Sequence, residues 1–234
     1  MAAPSKIASP APAPAAGSKR LVKILVLLGL AGVLGFLFIR SVRGTRAEPY
    51  TIPPGSLDGW TLAFQAPASA NDAGFVLHVP AELTRAVFDQ VFKRTMESMS
   101  MSGTPSVPLL TQRELDGPLA GRLTPEAITA IARDSGLLAP FVPRCLAHRR
   151  VSETTSTQQL YFMLFDAPAF TRFRDAIAAR VRDGATAPGA FDPTALSPVL
   201  FIGVSESIFG RWMPLRADPQ ADCFAPIAPQ ATAH

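Results

Sequence analysis

At 234 residues, with 48% hydrophobic and 17% charged side chains, the chain is long enough for one compact domain plus appendages and too apolar to be disordered throughout. Its two cysteines are too few for a disulfide-dense mini-protein. Past the first fifty residues no uncharged apolar run approaches the length of a bilayer crossing, which excludes a multi-pass transporter.

The net charge of +4 is unevenly placed. Lys6, Lys19, Arg20, Lys23, Arg40, Arg43 and Arg46 precede the first acid, Glu48, and the remaining 188 residues hold 15 Lys+Arg against 18 Asp+Glu, a net −3. The body therefore lacks the basic stripe of a nucleic-acid-binding domain, and no nucleic acid partner is expected. Leu21–Ile39 reads LVKILVLLGLAGVLGFLFI, nineteen residues broken only by Lys23, or roughly 28 Å of helix at 1.5 Å per residue. The alternative is a signal peptide cleaved at Thr45-Arg46-Ala47. A 20-residue leader, the length of the apolar run and three arginines ahead of that site argue for an uncleaved anchor in the lipid bilayer.

Basic residues flank the run on both sides, so charge alone does not orient it. A short cationic N-tail is hard to translocate, and two lone cysteines suit an oxidising compartment. The expected topology is a single pass of the inner membrane with the body in the periplasm. Residues 1–20 are then a disordered Ala/Pro-rich cytoplasmic tail and 21–39 the transmembrane signal anchor. A basic, Pro-rich spacer follows over 40–55, the globular domain over 56–228 and a disordered C-terminus over 229–234.

Within the body, Trp60, Leu62 and Phe64 alternate with polar or small neighbours, and Phe75, Leu77 and Val79 repeat the period of two, so two strands are predicted with a hairpin between them. Pro80 sets the first turn of a helix with Leu83, Val87 and Val91 on one face and Glu82, Arg85, Asp89 and Lys93 on the other. Met96, Met99 and Met101 read as the fraying end of that helix. Two shorter helices follow, one opened by the capping box Thr111-Gln-Arg-Glu114 and cut short by Gly117-Pro118, the other capped by Thr124 with Pro125 behind it and stopped at Gly136.

Strands are predicted at Cys145–Val151 and Gln159–Phe165, the second apolar enough to lie centrally with both faces covered. Asp166 then caps a helix carrying Phe170, Phe173, Ile177 and Val181, with Gly184 as its stop. Pro198–Ser205 forms another strand, and a weaker one lies around Trp212–Leu215 or Cys223–Ile227. The fold class is α+β, a mostly antiparallel sheet with two main packing helices behind one N-terminal transmembrane helix. A ββα duplication is hinted at by Phe75-Val-Leu77 with Thr84-Arg85, which recurs as Phe162-Met-Leu164 with Thr171-Arg172 at one spacing.

Chemistry-bearing motifs are sparse. Cys145 and Cys223 form no CxxC and read as a disulfide in an oxidising compartment. Cys145-Leu-Ala-His148 supplies two ligands where zinc needs three or four, and no cofactor motif is present. Gly203-Val-Ser205-Glu-Ser207 lacks the closing glycine of a nucleophile elbow. Arg144, His148, Arg149 and Arg150 form the densest basic cluster of the body, the candidate site for an anionic envelope ligand such as a lipid headgroup. The favoured function is binding or scaffolding, accessory to cell-envelope machinery, with an envelope protein or anionic ligand as partner. The second reading is an envelope hydrolase whose site is assembled from residues distant in sequence.

Overall fold

The computed structural model describes residues 18–66, 72–101, 103–152, 157–181, 190–205 and 215–229, and the chain divides into two units, Met1–Gly44 and Thr45–His234. Helix α1 runs over Ser18–Ala47, all but its last three residues in the first unit. Its large apolar side chains from Ile24 to Leu37 are 54–65% exposed. Side chains of α1 are described over 23–37, and among the described residues no helix is long and apolar enough to cross a membrane.

The second unit is α+β. Strands β1 (Tyr50–Ile52), β2 (Thr61–Phe64) and β3 (Ala73–His78) precede helix α2 (Ala81–Thr95), followed by β4 (Met99–Ser100) and β5 (Ser106–Thr111). Helices α3 (Gln112–Asp116) and α4 (Pro125–Asp134) lead to β6 (Val142–Ser152), β7 (Thr157–Asp166), α5 (Pro168–Val181) and β8 (Val199–Ser205). The short α6 (Pro219–Asp222) runs into β9 (Cys223–Pro229). A large sheet has the order β1-β9-β6-β7-β8-β4 and a small one the order β2-β3-β5. Every neighbouring pair is antiparallel except β1 with β9.

Leaving aside the two-residue β4, which follows α2 and joins the large sheet, each half repeats one connection, strand, strand, helix, strand: β2, β3, α2, β5 and then β6, β7, α5, β8, with the three strands adjacent in chain order both times. The spacing that takes Phe75 to Phe162 also takes Ala81, the first residue of α2, onto Pro168, the first of α5. The helices are exchanged. α2 lies on β1 and β8 of the large sheet; the Phe88 ring sits so close to Gly203 that an added Cβ would meet it at 3.2 Å. α5 faces the small sheet, with Phe173 6.1 Å from Phe75 between ring centroids and Arg174 donating to the Leu109 carbonyl at 2.9 Å. The main core therefore draws on both sheets and both helices, and a second apolar cluster, including Cys145, Phe162 and Phe201, covers the other face of the large sheet.

The local signals placed most elements. Thr111 and Glu114 form the reciprocal capping box, Thr124 accepts from the Ala127 N–H at 3.3 Å, and Gly136 takes φ +77° beyond α4. Leu160–Phe165 is buried on both faces in the middle of the large sheet. Several expectations are corrected. The spacer over 40–55 contains β1, whose Tyr50 and Ile52 are core residues, and its residues 40–47 belong to α1. Met96 ends α2 with φ 55°, so Met99 is not helical but pairs with Ser205 in β4. The stretch 106–111 is a strand, and Pro108 interrupts its apolar run only at an edge. Asp166 ends β7 and accepts from Arg144 at 3.1 Å, and α5 begins two residues later at Pro168. Of the two alternatives for a last strand, the one at Cys223 is β9; residues 212–214, the Gly184 stop, the tail over 1–17 and residues 230–234 lie outside the described residues.

Candidate functional site

Period-two alternation along β6 distributes the basic cluster over both sides of the sheet. Arg149 lies on the face of Cys145 and Ala147, where its Nε donates to Asp222 Oδ1 at 2.9 Å, its Nη2 pairs with Asp222 Oδ2 and also donates to the Arg216 carbonyl at 3.1 Å. This guanidinium is a clamp between β6 and the segment leading into β9. The Asp222 side chain is 7% exposed. Burial by itself raises its pKa, but the Arg149 hydrogen bond, the Asp218 N–H and the Arg149 charge hold the carboxyl below the usual range. Arg144 is spent on Asp166, Arg150 is exposed, and His148 turns to the opposite face from Arg149. The four residues therefore do not converge on one ligand position.

Cys145 and Cys223 lie at disulfide distance on adjacent strands, with Cα atoms 5.7 Å apart. The β6–β9 register sets Ala147 opposite Cys223 and so makes Cys145 its diagonal neighbour. Asp222 and Cys223 are consecutive, so the ion pair and the cysteine pair fasten the junction of α6 and β9 to β6.

His148 stacks on Tyr161, its cross-strand partner, with ring centroids 4.7 Å apart, and its Nε2 meets Gln159 Oε1 at 3.0 Å. The Gln159 N–H donates to Ser205 Oγ at 2.9 Å, and Tyr161 donates to Glu97 Oε2 at 2.7 Å. Histidine and serine thus share a neighbour, and among the described residues they are not hydrogen-bonded to one another. A general base has to reach the proton it removes; here His148 Nε2 meets Gln159 Oε1 instead. His78 is on the other sheet, opposite Thr61 and Ser106. Gly203, the first residue of the motif around Ser205, is explained by the close approach of Phe88.

A buried charge that sequence reading did not single out is Arg174, 0% exposed in α5. It donates to the Leu109, Asp192 and Pro193 carbonyls and to Glu114 at 2.6 Å, and its guanidinium lies 4.6 Å from the centroid of the Phe191 ring. All its donors are directed into the protein, so it ties α5 to β5 and α3 and offers nothing to a ligand. Among the described residues no three His, Cys, Asp or Glu side chains are placed to hold a metal ion.

Among the described residues there is concave surface away from these side chains. Two shallow troughs of about 290 and 400 Å³ meet at Phe64 and Pro125. Leu115, Leu119, Leu123 and Ile128 line one; Glu126, Thr129 and Arg133 border the other. The Glu126 carboxyl is held low by its own backbone N–H and by the Thr124 hydroxyl. Compared with family models, with curated proteins and with solved structures, the chain matches none.

Proposed function

We propose that this chain is a single-pass protein of the inner membrane whose body lies in the periplasm and acts by binding, as a scaffold accessory to envelope machinery. The observation that carries this reading is the Cys145–Cys223 pair, set at bonding distance across β6 and β9, because such a bridge persists in an oxidising compartment and is rare in the cytosol. The apolar run 21–39 supplies the anchor in the bilayer, and its exposed side chains on α1 have the character of a lipid-facing surface. The apolar troughs around Phe64 favour an envelope protein over an anionic ligand as partner, since Arg144 and Arg149 are already paired. The two like-connected halves support reading the body as an internal duplication.

Topology is the test. In intact cells the body should resist added protease until the outer membrane is opened, and the full-length chain should sediment with membranes and resist carbonate extraction. A body digested only after the inner membrane is breached would overturn the orientation. A soluble form beginning near Glu48 would overturn the anchor.

A further inference from the structure

The small sheet ends in two edges that the protein treats differently. On β2 the Gln65 N–H donates to the Gly74 carbonyl at 2.9 Å. Alternation along an antiparallel pair then makes Ala63 with Val76 and Thr61 with His78 the bonded pairs and turns the N–H and C=O of Leu62 and Phe64 away from β3. Among the described residues β2 pairs with β3 alone.

Among the described residues the other three terminal strands are interrupted, covered or very short. The Val79 N–H donates to the Pro105 carbonyl, so by the same alternation Pro108 stands where β5 would otherwise present an outward N–H. At β1 the Gln90 amide bonds the outward N–H and C=O of Thr51. β4 is two residues long. Among the described residues β2 is the terminal strand with neither proline, charge nor cover, and it displays Phe64 at 41% exposure.

We propose that β2 pairs antiparallel with β2 of a second copy of this chain, about a twofold axis at Ala63, joining the two small sheets into one of six strands. The register is self-complementary. With Ala63 opposite its own copy, Leu62 faces the copy's Phe64 and the reverse, so the four outward N–H groups and four outward C=O groups of the two strands make four hydrogen bonds. The smallest side chain lies on the axis, and two apolar Leu–Phe pairs flank it. No like charges meet, because residues 61–64 carry none. The interface is isologous and closes at two, so it does not propagate into fibres. An unrelated peptide would find the same few backbone groups but would not bring the matching Phe64. Two chains held on one membrane would also meet at raised effective concentration, a point that rests on the anchor reading, whereas the pairing geometry does not.

The test uses the full chain in its own membrane. Ala63→Cys should give, on mild oxidation, a species of twice the mass that reductant dissolves, at least ten times more abundant than that from Leu138→Cys, a control at an exposed position between α4 and β6. The second arm uses two differently tagged chains in detergent. Ala63→Glu should capture Ala63→Lys at least ten times better than either captures itself, a result that a folding defect or association through α1 cannot produce. Cross-linking no greater than the Leu138→Cys control, or equal capture in all combinations, would overturn the proposal. Either result leaves the anchor untouched, since protease protection reports it separately.

Discussion

Gln90 closes the outer edge of the large sheet by treating Thr51 as a strand partner. Its Oε1 accepts the Thr51 N–H at 2.9 Å and its Nε2 donates to the Thr51 carbonyl at 2.7 Å, so one side-chain amide supplies what a neighbouring residue would. A second bond from Nε2 to the Ala86 carbonyl, at 2.9 Å, fixes the amide against its own helix. Gln90→Ala should cost about 1–2 kcal/mol of stability, measured by urea unfolding. The Thr51 amide should then exchange with solvent faster than its neighbours in β1, and unchanged exchange at Thr51 would contradict the capping role.

Removing both cysteines, as Cys145→Ala with Cys223→Ala, deletes a link across 78 residues. By chain entropy that link is worth about 4 kcal/mol. The expected result is a large drop in urea midpoint with the β6–β9 region the first to open. Equal stability of the oxidised and reduced wild-type protein would show that the pair contributes nothing.

For Asp222 the sign follows from a folded pKa held below the unfolded value of about 3.9. Such a group adds stability above the unfolded pKa, and the contribution is lost as pH falls through the lower, folded value. Asp222→Asn should cost about 1–2 kcal/mol at pH 7, kept to that range because the Arg149 side chain is 29% exposed. The gap to wild type should narrow below about pH 4. A gap that stays constant from pH 7 to pH 2 would assign the effect to something other than the carboxylate.

Arg174→Met should be among the most damaging single changes, costing about 3–5 kcal/mol, because Glu114 and three carbonyls lose a buried partner. Adding Glu114→Leu should recover part of that loss. A double-mutant cycle with no coupling between the two positions would refute the ion pair as the hub.

What was legible in the sequence was local. Thr111 with Glu114, Thr124 with Pro125 and the stripe Phe173, Ile177, Val181 carry their instructions within one or two turns, and each appears where those residues place it. β1 was not legible, since its three residues acquire strand character only from Ile227–Pro229 at the far end of the chain. β5 was hidden by Pro108, a strand breaker unless the position is known to be an edge. Met96 ends α2 in a left-handed conformation without the glycine that usually signals it. Among the candidate site residues, the adjacency of Arg149 and Arg150 suggested a cluster, although the period of a strand already sends neighbours to opposite faces. Gln90 gave no signal, because its role depends on Thr51, 39 residues earlier.

The parallel pairing of Tyr50 with Ile227 also sets an order of events during synthesis. The first strand of the body leaves the ribosome long before the last strand exists to receive it, and α2 emerges ahead of β8, on which it lies. Neither half can be finished and set aside while the other is made. A product truncated before Cys223 would lack the parallel partner of β1, the β6 neighbour on that side and half of the cysteine pair at once. Such a chain should be cleared by proteases rather than persist as a partly working fragment, and the nascent protein should depend on a holding chaperone until translation is complete.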